Sequence, residues 1–359
     1  MNSGVPYMDL LKKMISIPAT SRDERRRADF LEETLRGLGH HVERMHNNLL
    51  LGTPGEDKRG IHILLHSHLD TVSPVEGWKT NPHLPAMDGE RITGLGSNDA
   101  GASVVAMIAA YHAMVSKLEG TINLMLLIAA EEEVSGAFGI GAVLPSLGHL
   151  DGVIVGEPTG MNPAVAERGL MVLDGEVRGK AGHAARDEGV NAITKAMADI
   201  HSIDSLHFPE KSDWLPDPGA QVTMISAGTG HNVVPDICRY VVDVRSNDRY
   251  DNEKMLEIIS GVCEARLVPR STRLRPSILE RGHVLMETVR TCGLAPFGSS
   301  TLSDMALIPF PAIKMGPGDS ARSHTAGEYI LQPEVEAGVK GYCEFLSALA
   351  EIVTKSGKN

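Results

Sequence analysis

The chain reads as an α/β protein carrying a second, smaller α+β domain. Three observations predict this. Short apolar runs alternate with helix-spaced segments through roughly the first 160 positions. From about Arg168 the order becomes β-α-β-β-α-β, the succession of a small two-layer α+β domain. After position 275 the alternation of helix and buried strand returns. The α/β domain is therefore expected to be discontinuous, 1–166 and 275–359, around an insert at 167–274.

Apolar residues at helical spacing predict helices over Tyr7–Ser16 and Arg25–Leu38, the second closing at Gly39. Val42–Leu51 reads as a strand, followed by a turn at Pro54-Gly55. Ile61–Leu65 is a continuous apolar run, the pattern of a strand buried on both faces, and it leads into His66-Ser67-His68-Leu69-Asp70. Trp78–Pro85 is irregular and precedes a hairpin at Asp88-Gly89. Gly94–Ser103 is glycine-rich and opens an alanine-rich helix reaching about Val115, with Asp99 at or just before its amino terminus. An Asp there could be a simple N-cap. Thr121–Ala129 reads as a second buried strand, ending in Glu131-Glu132-Glu133, and Val153–Gly156 as a third, ending in Glu157.

Within the insert, strands are expected at Leu170–Val177, Gln221–Ala227, Arg239–Arg245 and Ala265–Arg273, with helices at Asn191–Ser202 and Asp251–Cys263. A helix over Glu280–Thr291, a strand over Ile308–Lys314, the loop Gly316–His324 and a terminal helix Pro333–Val353 complete the chain.

Several buried strands thus deliver His, Asp or Glu where ligands bind in open α/β sheets, outside the carboxyl ends of the strands. The candidates are His68, Asp70, Asp99, Glu132, Glu133, Glu157 and His324. His68 and Asp70 share one side of an extended segment, because side chains repeat every second residue. Carboxylates crowded at a strand end repel one another unless a cation or proton intervenes. Imidazoles and carboxylates without thiolates suit zinc, cobalt or manganese.

Six motifs occur in order: H-S-H-L-D-T-V, G-L-G-S-N-D, E-E-E-V-S-G, G-E-P-T, G-K-A-G-H-A and H-T-A-G-E-Y. Through them nearly the whole chain resembles the di-zinc metallohydrolases that include acetylornithine deacetylase, succinyl-diaminopimelate desuccinylase, aminoacylase-1 and bacterial glutamate carboxypeptidases. The resemblance implies an aminopeptidase-like catalytic domain, with a mixed, mainly parallel sheet flanked by helices. The ferredoxin-like insert would serve as lid and dimerisation domain. It implies two zinc ions, one held by His68, Asp99 and Glu157 and the other by Asp99, Glu133 and His324, with Asp99 bridging. Glu132 would be the general base, and Asp70 would orient His68. His183 would reach the partner subunit's site in a homodimer, assisted by Asn232, and Arg168 and Arg245 would grip a substrate carboxylate. Gly101 stands where many relatives carry Lys, Glu131 where they often carry Asp, and Gly327 where Asp is usual; none of these departures removes a ligand.

The implied reaction is hydrolysis of an N-acyl amino acid, first of N-acetyl- or N-succinylornithine in arginine biosynthesis. Diaminopimelate desuccinylation or N-acyl-lysine deacylation comes second, and di- or carboxypeptidase activity third. A catalytically silent, metal-stabilised binding module is the alternative of another class, and Glu132 argues against it. Composition narrows the partners. A formal net charge of −12 disfavours nucleic acid and anionic membranes, and no apolar run approaches the roughly 20 residues of a membrane helix. Residues Met1–Met14 lack a secretion-signal layout, and the scattered Cys238, Cys263, Cys292 and Cys343 read as free thiols of a reducing, cytoplasmic compartment.

Overall fold

Four apolar strands that run side by side in one direction explain where the candidate residues sit. In the computed structural model, which describes residues 6–52, 60–186 and 188–356, strand Ile61–His68 pairs in parallel with Ile122–Ala129 on one side and with Gly152–Val155 on the other. Ala312–Lys314 continues the parallel set next to Gly152–Val155. Ile63, Leu64 and Leu65 are wholly buried, as a strand covered on both faces requires. Each such aliphatic side chain contributes about 1.5–3 kcal/mol by leaving water. Antiparallel strands flank the set, Asn48–Leu51 against Ile122–Ala129 and Ala164 against Lys314.

The chain divides into two compact units. The first comprises Met1–Val165, Leu279–Phe297 and Ser303–Asn359, the second Ala166–Ile278 and Gly298–Leu302. In the first unit the central helix Ala102–Met114 is buried on nearly every side and packs on the terminal helix Gln332–Ser356. The stretch Ser97–Lys117, kinked at Asp99 and Ala100, is long and apolar enough to cross a membrane by length and composition, where the sequence reading found no such run, yet 72% of its apolar window is buried inside the protein. In the second unit the four-stranded antiparallel sheet runs Gly219–Ala227, Ile237–Ser246, Gly169–Arg178, Arg266–Pro269. Alternate residues Met171, Leu173, Tyr240, Val242 and Val244 turn into a core shared with helices Ala192–Asp204 and Asn252–Val262. Asn191 and Asp251 cap those helices by accepting backbone N–H bonds.

Local expectations need four corrections. Val42–Leu51 is a hairpin, Glu43–Met45 against Asn48–Leu51, turned at His46 with φ +55°. The Ile308 strand shrinks to Ala312–Lys314, since Pro309 and Pro311 cannot donate to a ladder. The helix expected from Glu280 begins at Val284, because the ring of His283 accepts the Leu285 N–H and caps it there. The last strand of the insert ends at Pro269 rather than Arg273. The turn at Pro54-Gly55 lies outside the described residues.

Candidate metal centre

The parallel register sets the geometry. His68 lies level with Ala129, and His66 with Val155, so His68, the acidic run after Ala129 and Glu157 leave the sheet at one edge. Asp99 arrives from the short irregular turn Ser97–Gly101 that precedes the buried helix, and its own φ/ψ is non-helical. His68 Nε2 stands 3.2 Å from Asp99 Oδ1 and 3.6 Å from Glu157 Oε1. His324 Nε2 lies 2.9 Å from Glu133 Oε2 and 3.6 Å from Asp99 Oδ2. Two groups, His68–Asp99–Glu133 and His68–Glu132–Glu157, each bring potential ligand atoms within 4.8 Å of one another.

The electrostatics are those of a site crowded with like charge. Burial, then the charges of Glu157, Asp304 and Glu133, push the Glu132 carboxyl well above the usual range against the pull of His68. Burial and Asp99 push Glu157 up to about 8, opposed by His68 and Lys314. Burial disfavours a charge on His68, but Glu132, Asp70, Asp99 and Glu157 overrule it and hold the imidazole well above its ordinary value. Bonding to Glu133 raises His324 to about 9. Asp99 is buried too, yet its bond to His68 keeps it below the usual carboxylate range. Glu132 and Glu157 thus hold protons where divalent cations would relieve the repulsion, and the nitrogen and oxygen donors fit such ions.

Two buried carboxylates outside the groups above hold the loops in place. Asp70 accepts the N–H of Glu132 at 3.1 Å, the N–H of Glu133 at 3.2 Å and the Ser21 hydroxyl at 2.6 Å. It therefore ties the end of strand Ile61–His68 to the acidic pair. Its relation to His68 is looser: Nδ1 lies 3.1 Å from the Asp70 carbonyl and 3.5 Å from the carboxylate. Glu328 accepts three backbone N–H groups from the Asp99 turn. Arg27, 2% exposed, donates to the carbonyls of Ile17 and Leu69 and supplies the positive charge near both carboxylates. Non-glycine residues take left-handed backbone conformations around the site, at Glu131 (φ +55°), Ser135 (φ +44°) and His324 (φ +58°).

The remaining predicted residues belong to the second unit. His183 pairs with Val233 across a two-stranded ribbon, and the neighbouring Asn232 carbonyl accepts the Ala184 N–H, so these two are adjacent and exposed. Arg245 makes a two-pronged ion pair with Asp243 at 2.7 and 3.1 Å, and Arg168 donates to the carbonyls of Asp217 and Arg245. Both guanidinium groups therefore have partners within the chain. Sequence reasoning gave no role to Ser21, Arg27, Asn98 or Glu328. Asn98 and Glu328 carried a signal, since they stand in the G-L-G-S-N-D and H-T-A-G-E-Y motifs; Ser21 and Arg27 carried none.

Fold and donor set together define a metal-dependent hydrolase. Residues 165–271 match the M20 family model described as a peptidase dimerisation domain. A succinyl-diaminopimelate desuccinylase of Sphingopyxis alaskensis is 29% identical over 73% of this chain and 74% of its own length. An acetylornithine deacetylase of Myxococcus xanthus is 27% identical over 91% and 87%. Further relatives, at 26–31% identity, carry the desuccinylase name. Aminopeptidase PepT from Bacillus cereus superposes with a TM-score of 0.79 at 20% identity, covering 98% of this chain and 99% of that one. A Bacillus subtilis dinuclear metal binding peptidase from the M20 family gives 0.68 at 16%, covering 97% and 98%. Residues 165–271 thus match an M20 dimerisation domain, and the chain as a whole is similar in sequence to N-acyl amino acid hydrolases and in fold to M20 peptidases.

Proposed function

We propose that the chain hydrolyses the amide bond of an N-acyl amino acid with two divalent cations, zinc in the first instance. The observation that carries this reading is Asp99, whose two carboxylate oxygens face His68 at 3.2 Å and His324 at 3.6 Å. His68, Asp99 and Glu157 would hold one ion, and Asp99, Glu133 and His324 the other, with cobalt or manganese as substitutes. Bound there, the cations supply Lewis-acid polarisation of the scissile carbonyl and a lowered water pKa. Glu132 is the general base: it takes the proton of the attacking water and returns it to the departing amine nitrogen. A partly desolvated carboxylate beside the cations can be poised for both transfers. Asp70 fixes the backbone of Glu132 and so the direction of that carboxylate.

The second unit completes the reading. The match to a dimerisation domain supports a homodimer, in which the partner subunit's His183 would stabilise the developing oxyanion beside Asn232. Arg168 and Arg245 are the candidates for a substrate carboxylate, at the cost of giving up their present partners. The four cysteines are free, which accords with a reducing, cytoplasmic setting.

Among substrates, N-succinyl-diaminopimelate now ranks ahead of the N-acylornithines expected from the sequence, because most of the relatives above are named for it. N-acetylornithine stays as the second reading, since the Myxococcus relative aligns over more of the chain than the Sphingopyxis one. Rates on N-succinyl-diaminopimelate, N-succinylornithine and N-acetylornithine with zinc present decide between them. The desuccinylase reading predicts the first as preferred substrate, and preference for either ornithine derivative would reverse the ranking. Glu132→Gln is expected to keep the wild-type metal content and lose about 10²–10⁴-fold in kcat. Unchanged kcat would remove Glu132 from the base role.

A further inference from the structure

We propose that Glu328, together with Asn98, is a positioning residue that holds Asp99 and His324 in register for one of the two cations. This rests on the two-cation reading above. The Glu328 side chain is 1% exposed and ligates nothing in that reading. Its Oε1 accepts the N–H of Asn98 at 2.8 Å and of Asp99 at 3.0 Å, and its Oε2 accepts the N–H of Gly96 at 3.1 Å. Three amide donors converge on one carboxyl group, and bonds to its ionised form are stronger than neutral ones. They fix the backbone of the turn from which the Asp99 side chain projects. The backbone of Glu328 is anchored in turn, because its carbonyl accepts the Gly94 N–H and the next residues, Tyr329–Leu331, pair with Arg91–Thr93.

Asn98 carries the constraint onward. It is fully buried, and its side chain uses both ends on the segment that leads to His324. Its Oδ1 accepts the Asp319 N–H at 3.0 Å, while its Nδ2 donates to the Asp319 carbonyl at 3.1 Å and the Ser323 hydroxyl at 3.3 Å. The carboxylate thus grips the Asp99 turn through its amides, and the turn grips the His324 segment through one amide side chain. His68 and Glu133 reach the site from strand ends held elsewhere, Glu133 by Asp70, while the Glu157 loop meets the Asp319 segment through its own backbone, at Thr159 and Gly160, and not through the Asn98 side chain.

The consequence is asymmetric. Loosening the relay frees one ligand in three, Asp99, at the His68–Asp99–Glu157 ion. It frees two in three, Asp99 and His324, at the Asp99–Glu133–His324 ion. A residue serving only general stability would weaken both ions alike, or neither.

The test is cobalt titration of chelator-stripped protein by calorimetry and visible absorption, comparing wild type, Glu328→Gln and Asn98→Ala. Wild type should take up two Co²⁺ per chain. In Glu328→Gln the weaker equivalent should bind at least about tenfold less tightly, the scale seen when groups supporting metal ligands are removed, while the tighter one changes little. The cobalt band of the weaker site should shift, and kcat should fall with KM nearly unchanged. Asn98→Ala keeps every amide donor to Glu328 and should show the same selective loss, so it decides the matter if Glu328→Gln does not fold. Two wild-type affinities and unchanged spectra in the folded variants would overturn the positioning role, as would equal weakening of both ions. If wild type itself bound fewer than two Co²⁺, the two-cation reading would fail first, and the relay with it.

Discussion

At the scale of single residues, the site is a balance between burial and charge. Glu157, raised to about 8, Glu132 and His68, raised well above their ordinary values, and His324, raised to about 9, all hold protons in the folded chain that the unfolded chain releases at lower pH. Stability falls with rising pH wherever the folded state binds more protons than the unfolded one. Asp70 and Asp99 are shifted the other way, but their contribution is complete once pH has passed the ordinary carboxylate range. The metal-stripped chain should therefore melt at a lower temperature at pH 8 than at pH 6, and saturating zinc should remove the difference. A melting temperature that rises between pH 6 and 8 without metal would contradict this balance. Much of the residue pattern was legible in the sequence: His68 and Asp70 stand two apart after an apolar run, and Glu132, Glu133 and Glu157 follow two others. The supports were not. Ser21 lies 49 positions from Asp70 and Glu328 lies 229 from Asp99, and nothing local in either segment announces so distant a bond.

At the scale of elements, continuous apolar runs made the buried parallel strands easy to read, because a strand covered on both faces needs no alternation. Failures cluster where a few polar atoms or a proline decide a boundary. The hairpin within Val42–Leu51 hinges on His46-Asn47, inside a stretch whose ends, Val42 and Leu49–Leu51, read as one strand. His283 sets a helix start with its ring rather than with one of the oxygen side chains that usually cap. The four-residue strand Ala164–Glu167 is too short to show a period. The parallel centre makes its own prediction. Leu65 is wholly buried in strand Ile61–His68, so Leu65→Ala should cost about 2–5 kcal/mol in urea unfolding of the metal-free chain. A loss below about 1 kcal/mol would mean that this strand is not the packed centre described here.

At the scale of the whole molecule, the two units carry different features. One supplies a sheet edge where distant carboxylates and imidazoles meet. The other matches a dimerisation domain and carries the residues proposed to meet substrate. The relatives moved the substrate reading from ornithine toward diaminopimelate, a distinction that the six motifs do not draw. Everything turns on the pair of cations around Asp99. Anomalous diffraction at the zinc edge, from crystals grown with zinc, tests it most directly. Two peaks per chain are predicted, about 3.5–4 Å apart on either side of the Asp99 carboxylate, one beside His68 and Glu157 and the other beside Glu133 and His324. A single peak, or two that leave Asp99 without a bond to both, would contradict the account.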